Sequence, residues 1–139
     1  MTDNPPSALF EGVPYEYASV AAAGSLIFTA GVCPIDAAGN VEAAGDVVAQ
    51  AHVAYDNLAA VLERYGAGVQ HLVRTTVYAV GSRDEIAAAW AAVAGRLLPH
   101  RPPSTLVGVT VLGYPGQLIE IEGIAAVPPG TPLPTRVVG

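Results

Sequence analysis

Residues 104–125, STLVGVTVLGYPGQLIEIEGIA, decide the fold and mark out the first candidate for chemistry. They predict two β-strands joined by a Gly113-Tyr114-Pro115-Gly116 turn, with Glu120 and Glu122 inside an otherwise apolar second strand. Side chains alternate across a strand, so Ile119 and Ile121 share one face and Glu120 and Glu122 the other. Leu118 and Ile124 stand on the glutamates' face, which is therefore not a simple solvated surface. A carboxylate held on a partly apolar wall is costly unless it is paired, hydrogen-bonded or protonated. Glu120 is the first residue to examine.

The chain has 139 residues, 52% of them hydrophobic, which predicts one globular domain over residues 1–139 with a sizeable core. No apolar run approaches the roughly 20 residues needed to span a bilayer. The N-terminal stretch MTDNPPSALFEG has no basic segment followed by an apolar one, so no secretory signal is read and a cytoplasmic protein is expected. Cys33 is the single cysteine, which excludes an intrachain disulfide and a cysteine-based metal site. His52, His71 and His100 are scattered, with no metal-ligand spacing, so no metal is expected.

The formal net charge is −6, and all six basic side chains are arginines spread along the chain. Affinity for a phosphate backbone needs concentrated positive charge, so a nucleic-acid partner is not expected. The absence of lysine removes any Schiff-base lysine mechanism. Charged residues make up 13%, about half the usual ~25% of a soluble domain. A monomer this apolar would leave hydrophobic area exposed, and an oligomer is expected.

Outward from residues 104–125, the pattern predicts a loosely ordered lead-in over residues 1–13 and a proline-rich tail over residues 128–139. Tyr17–Ala22 and Leu26–Ala30 read as a hairpin about Ala23-Gly24-Ser25, and residues 31–40 as a loop. Asp46 caps a helix reaching about Tyr65, with Val48, Ala51, Tyr55, Leu58 and Leu62 along one face. Leu72–Val80 reads as a strand. Ser82 and Glu85 form a capping box for a second helix, striped by Ile86, Trp90, Val93 and Leu97 and ended by Pro99, Pro102 and Pro103. The order β-β-α-β-α-β-β predicts an α+β sandwich with both helices on one face of a mixed sheet. Apolar residues on both sides of several strands leave the second face to be covered, most simply by another subunit.

Four segments carry a resemblance: residues 26–31 (LIFTAG), 50–62 (QAHVAYDNLAAVL), 73–78 (VRTTVY) and 119–125 (IEIEGIA). In this order and spacing the chain resembles the reactive-intermediate deaminase family, also called Rid or YjgF-type, from about Pro14 to Val127. The resemblance implies a chorismate-mutase-like fold and a homotrimer whose sheets form a central barrel, with small-molecule substrate bound in clefts between subunits. It also implies hydrolysis of reactive enamines or imines to a carbonyl product and ammonia, with neither metal nor cofactor.

Residue by residue, the resemblance makes Tyr17 the cleft-lining aromatic and places the backbones of Ala30, Gly31 and Leu106 against the ligand. Glu120 matches the glutamate that orients the attacking water. An ion pair or backbone hydrogen bond at a subunit seam is the alternative role for this glutamate, and an ordinary strand aromatic the alternative for Tyr17. Tyr114 either shapes the cleft mouth or is a plain turn residue. Glu122 reads as structural, and Cys33 as inert packing rather than a nucleophile. Deaminase-active members carry a carboxylate-gripping arginine before the fourth strand; here Ser104 occupies that position, with Thr105 beside it. A hydroxyl cannot supply a bidentate charged fork. The sequence thus resembles an arginine-less branch, with Arg101 three residues earlier as a conceivable substitute. A trimeric module of the same fold that binds a metabolite or partner without turnover is the competing expectation.

Overall fold

The computed structural model describes residues 9, 10, 12–19 and 21–132. Its elements, in order, are β1 (Leu26–Phe28), α1 (Val47–Arg64), a single 3-10 turn (Val69–His71), β2 (Leu72–Ala79), α2 (Arg83–Leu97), β3 (Ser104–Gly108) and β4 (Ile119–Ala126). The sheet runs β1-β4-β2-β3, with β4 antiparallel to both neighbours and β3 parallel to β2. This is the expected α+β arrangement of two helices and a mixed sheet. Parallel strands need a crossover connection, and α2 supplies it.

Both helices begin as the caps predict. Asp46 accepts from the Ala49 N–H, and Ser82 and Glu85 satisfy each other's backbone N–H groups. Ala51, Ala54, Tyr55, Leu58 and Leu62 of α1 pack with Val93 and Leu97 of α2 on Leu72, Val77, Ile119, Ile121 and Ala125 of the sheet. Val48 is instead exposed, and Gln50 takes the buried place on α1. The burial of β4 alternates strictly, so Ile119 and Ile121 face the helices while Glu120, Glu122 and Ile124 lie on the open face. Leu58 is 1% exposed at the centre of this core. Leu58→Ala is expected to cost about 2–5 kcal/mol through lost burial and the cavity left behind, read as a lower urea midpoint.

Two expectations are corrected. Tyr17–Ala22 forms no strand among its described residues, so β1 has no hairpin partner before it. Ser19 Oγ of that segment instead donates to Val73 O at the start of β2, and Glu16 N, just before the segment, donates to Arg101 O on the approach to β3. Nor do β3 and β4 pair with each other. The α2 crossover lays β3 on the outer edge of β2, so residues 109–118 cross the end of β2 instead of making a tight hairpin. Residues 1–8 of the lead-in and 133–139 of the tail lie outside the described residues.

Candidate functional site

β1 and its continuation lie along β4, but not in even step. Phe28 pairs with Ile124 and Val32 with Ile121, so the first strand spends four residues where β4 spends three. The extra residue is a bulge at Ala30-Gly31, the local irregularity by which a strand re-aims its backbone and neighbours. At this bulge the Glu120 side chain fills the space that a Cβ on Gly31 would need. Glycine is therefore required here for close approach, not for an unusual φ.

The carboxylate's surroundings are neutral donors. The Cys33 thiol donates to Glu120 Oε1 at 3.1 Å, and Gln117 Nε2 donates to the same oxygen at 3.3 Å. Oε2 lies against Gly31 and has no hydrogen-bond partner among the described residues. One oxygen is thus anchored and the other is left without a hydrogen-bond partner among these residues. Such a carboxylate can take a proton from water at Oε2 while its anchored oxygen keeps the group in place.

Burial pushes the Cys33 thiol up to about 11, and the hydrogen bond and negative charge of Glu120 push the same way. The thiol therefore keeps its proton at neutral pH and acts as a donor. Iodoacetamide should alkylate Cys33 at pH 8 about a hundredfold more slowly than a free thiol, since only the thiolate reacts. An unfolded thiol would lose its proton near pH 9, while the native one holds it towards 11. This contribution to stability is full below pH 9 and is lost as the pH rises through about 11.

Three side-chain amides that the sequence reading passed over build this corner. Gln50, 0% exposed, donates to Gly116 O and accepts from Leu118 N, and so fixes the chain just before β4. Asn57 donates to the carbonyls of Cys33 and Ile35 and fixes the other loop. Gln117 accepts from Tyr114 N and donates to Ile119 O as well as Glu120. Gln50 and Asn57 are seven residues apart, two helical turns, and therefore share a face of α1. That spacing of two amides on a core-facing side was the signal available in the sequence.

The remaining candidates are dispersed within one chain. Ala30 is exposed beside Gly31, and Tyr114 sits exposed in the turn tied to Gln117, so both lie near Glu120. Tyr17 is at the opposite end of the sheet, its hydroxyl donating to Phe10 O. Ser104 pairs with Thr75 on the helix-facing side, bonded to the Thr75 hydroxyl and to Pro102 O. Leu106, opposite Val77, shares that side, whereas Thr105 lies on the open face and accepts from Arg74 Nη2 at 3.0 Å. The Arg101 guanidinium is directed at the carbonyls of Val13 and Tyr15, not at Glu120.

Farther along the open face, Tyr78 donates to Glu122 at 2.7 Å, and this bond raises the Tyr78 phenol above its ordinary range. A shallow hollow of about 210 Å³ lies there, bounded by Phe28, Thr29, Arg74, Thr76, Glu122 and Ile124. It does not include Glu120. The wedge at Gly31 is the better candidate site, because its carboxylate is held by oriented donors and still has a free oxygen. The hollow is walled by Phe28, which is 70% exposed, and its Glu122 is already bonded to Tyr78.

A profile of the family described as Endoribonuclease L-PSP matches residues 11–127. Protein DfrA of Myxococcus xanthus is 37% identical over 113 residues, covering 81% of this chain and 84% of its own length. A RutC family protein of Pyrococcus horikoshii is 32% identical over 112 residues, covering 78% of this chain and 85% of its own. Among solved structures, the Rid-family protein YyfB of Yersinia pestis superposes with a TM-score of 0.78 at 29% identity, over 88% of this chain and 95% of that one. The YjgF gene product of E. coli gives 0.65 at 32% identity, over 81% and 87%. In sequence and in fold, the chain belongs to the Endoribonuclease L-PSP family, the Rid and YjgF-type proteins.

Proposed function

We propose that the chain is a hydrolase of small reactive imines or enamines, giving a carbonyl compound and ammonia. The observation that carries this reading is the Glu120 carboxylate, anchored at Oε1 by two neutral donors and unpartnered at Oε2 beside Gly31. An enamine first shifts a proton to carbon and becomes the imine. Glu120 Oε2 takes a proton from water as the water oxygen bonds to the C=N carbon, and nitrogen takes a proton from solvent. The resulting carbinolamine has both groups on one carbon. Glu120 returns its proton to nitrogen, the C–N bond breaks, ammonia leaves, and the hydroxyl proton passes to solvent as C=O forms. The overall balance is imine plus water to carbonyl plus ammonia, with no metal or cofactor in any step.

The reading includes a cytoplasmic homotrimer with its sites at the seams between subunits. Ser104, Thr105, Leu106 and Tyr17 lie away from Glu120 in their own chain, so a neighbouring copy is the means of bringing them to it. Exposed Phe28, Leu26, Leu106 and Val111 support burial against other copies. Among the described residues no helix is long and apolar enough to cross a membrane. With a hydroxyl at position 104, already bonded within its own chain, the site lacks the family's carboxylate grip. Substrates without a carboxylate are therefore favoured over α-imino acids.

The test is ammonia release by purified protein, from a neutral imine and from 2-aminoacrylate, alongside light scattering. Release above the buffer rate, faster for the neutral imine, together with a trimer mass, is the expected result. Release at the buffer rate from both, with ligand-induced thermal shifts, would move the chain to the competing reading: a trimeric module that binds without turnover. The hydroxyl of Ser104, already bonded to the Thr75 hydroxyl and to Pro102 O within its own chain, is the observation that favours that second reading.

A further inference from the structure

We infer that Gln117, seconded by the Cys33 thiol, is a positioning residue that fixes the Glu120 carboxylate so that Oε2 alone meets the reacting water. The inference rests on the role of Glu120 proposed above and deepens it.

Gln117 is 4% exposed, and its amide is used on both sides. Oε1 accepts from Tyr114 N at 3.1 Å, while Nε2 gives one proton to Ile119 O at 3.0 Å and the other to Glu120 Oε1 at 3.3 Å. Turning the amide over would set its oxygen against both the Ile119 carbonyl and the Glu120 carboxylate, so the network permits one orientation. The backbone on either side of Gln117 is itself pinned, because Gln50 binds Gly116 O and Leu118 N. On the opposite side, Asn57 holds the carbonyls of Cys33 and Ile35 and so aims the thiol at the same Oε1.

Two donors on Oε1 draw charge to that oxygen and stop the carboxylate from rotating about its terminal bond. Oε2 is left without a donor and directed at the Gly31 bulge. Proton transfer needs the accepting atom within hydrogen-bond reach of the proton, in a fixed direction. Gln117 supplies the direction without touching substrate.

The test compares kcat and KM for imine hydrolysis in Gln117→Met, Gln117→Glu, Cys33→Ala and Cys33→Ser. Losing a hydrogen bond to a charged group corresponds to about a ten- to hundredfold fall in kcat for Gln117→Met, with KM unchanged. Gln117→Glu keeps an acceptor for Tyr114 N but sets a like charge against Glu120, so its kcat falls at least as far. A glutamine that only supports the turn gives the reverse order, Glu milder than Met. Cys33→Ala lowers kcat and Cys33→Ser restores it, a pair that carries the test if Gln117 variants do not fold.

A readout without substrate runs in parallel. Cys33 alkylation by iodoacetamide at pH 8 quickens in Glu120→Gln, because the carboxylate no longer holds the thiol proton. Wild-type kcat in both Gln117 variants and in Cys33→Ala, with Glu120→Gln inactive, overturns the positioning role alone. Wild-type kcat in Glu120→Gln instead overturns the base assignment on which it rests.

Discussion

Glu120→Gln lowers kcat for imine hydrolysis about a hundred- to ten-thousandfold, the span associated with removing a general base. The substitution keeps the shape of the side chain, so it separates proton transfer from packing. The amide still accepts from Cys33 and Gln117 at the anchored atom, and only the proton-accepting oxygen is lost. KM, the circular dichroism spectrum and the assembly state are expected to match wild type. Glu122→Gln is the control: its partner is the Tyr78 hydroxyl on a neighbouring strand, and kcat should stay near wild type. Equal kcat in wild type and Glu120→Gln would falsify the mechanism. Equal losses in the Glu120 and Glu122 variants would mean that the sheet's open face, not one carboxylate, had been disturbed.

Gly31→Ala is the second variant with a large expected effect, through geometry alone. Its new Cβ meets the end of the Glu120 side chain, which is flexible enough to swing aside. The fold should therefore survive, with a thermal midpoint within a few degrees of wild type, since about 1 kcal/mol moves the midpoint of a domain this size by roughly 2–8 °C. Turnover should fall about a hundredfold, because a displacement of about 1 Å at reacting groups costs that much. The diagnostic is the split between stability and kcat. Loss of the cooperative unfolding transition would assign Gly31 to the fold instead, and full activity would remove close approach as the reason for glycine at the bulge.

Much of the architecture was legible in the sequence because it rests on local signals. Asp46 and the Ser82–Glu85 box start helices by bonding backbone groups within one turn. The alternation Ile119-Glu120-Ile121-Glu122 sorts the faces of β4 whatever its neighbours are. The misplaced elements depend on long-range pairing. Tyr17–Ala22 has strand-like composition, yet none of its described residues pairs with a sheet edge, and Ser19 instead bonds the Val73 carbonyl through its hydroxyl. The turn at residues 113–116 suggested a hairpin, but the parallel seat of β3 beyond β2 is set by the α2 crossover, which a turn sequence does not encode.

The candidate site divides in the same way. Glu120 was readable because a carboxylate on an apolar strand stands out. Gly31 could be named only through the family resemblance, since the bulge that requires it exists only once β1 lies against β4. Gln117 carries no local signal in the sequence, because its burial depends on a loop folded over the start of β4. Ser104 was read as the occupant of a binding position. Whether its hydroxyl faces helices or cleft follows from the β2–β3 register, which places it opposite Thr75.

Gln50 and Asn57 tie both loops around Glu120 to a single helix, α1, whose other contacts are the middle of the hydrophobic core. The corner therefore cannot loosen on its own as a mobile lid does; it opens only when α1 leaves the sheet. On heating, inactivation and the loss of helical ellipticity should trace one curve, with no warm range in which a folded protein has already stopped working.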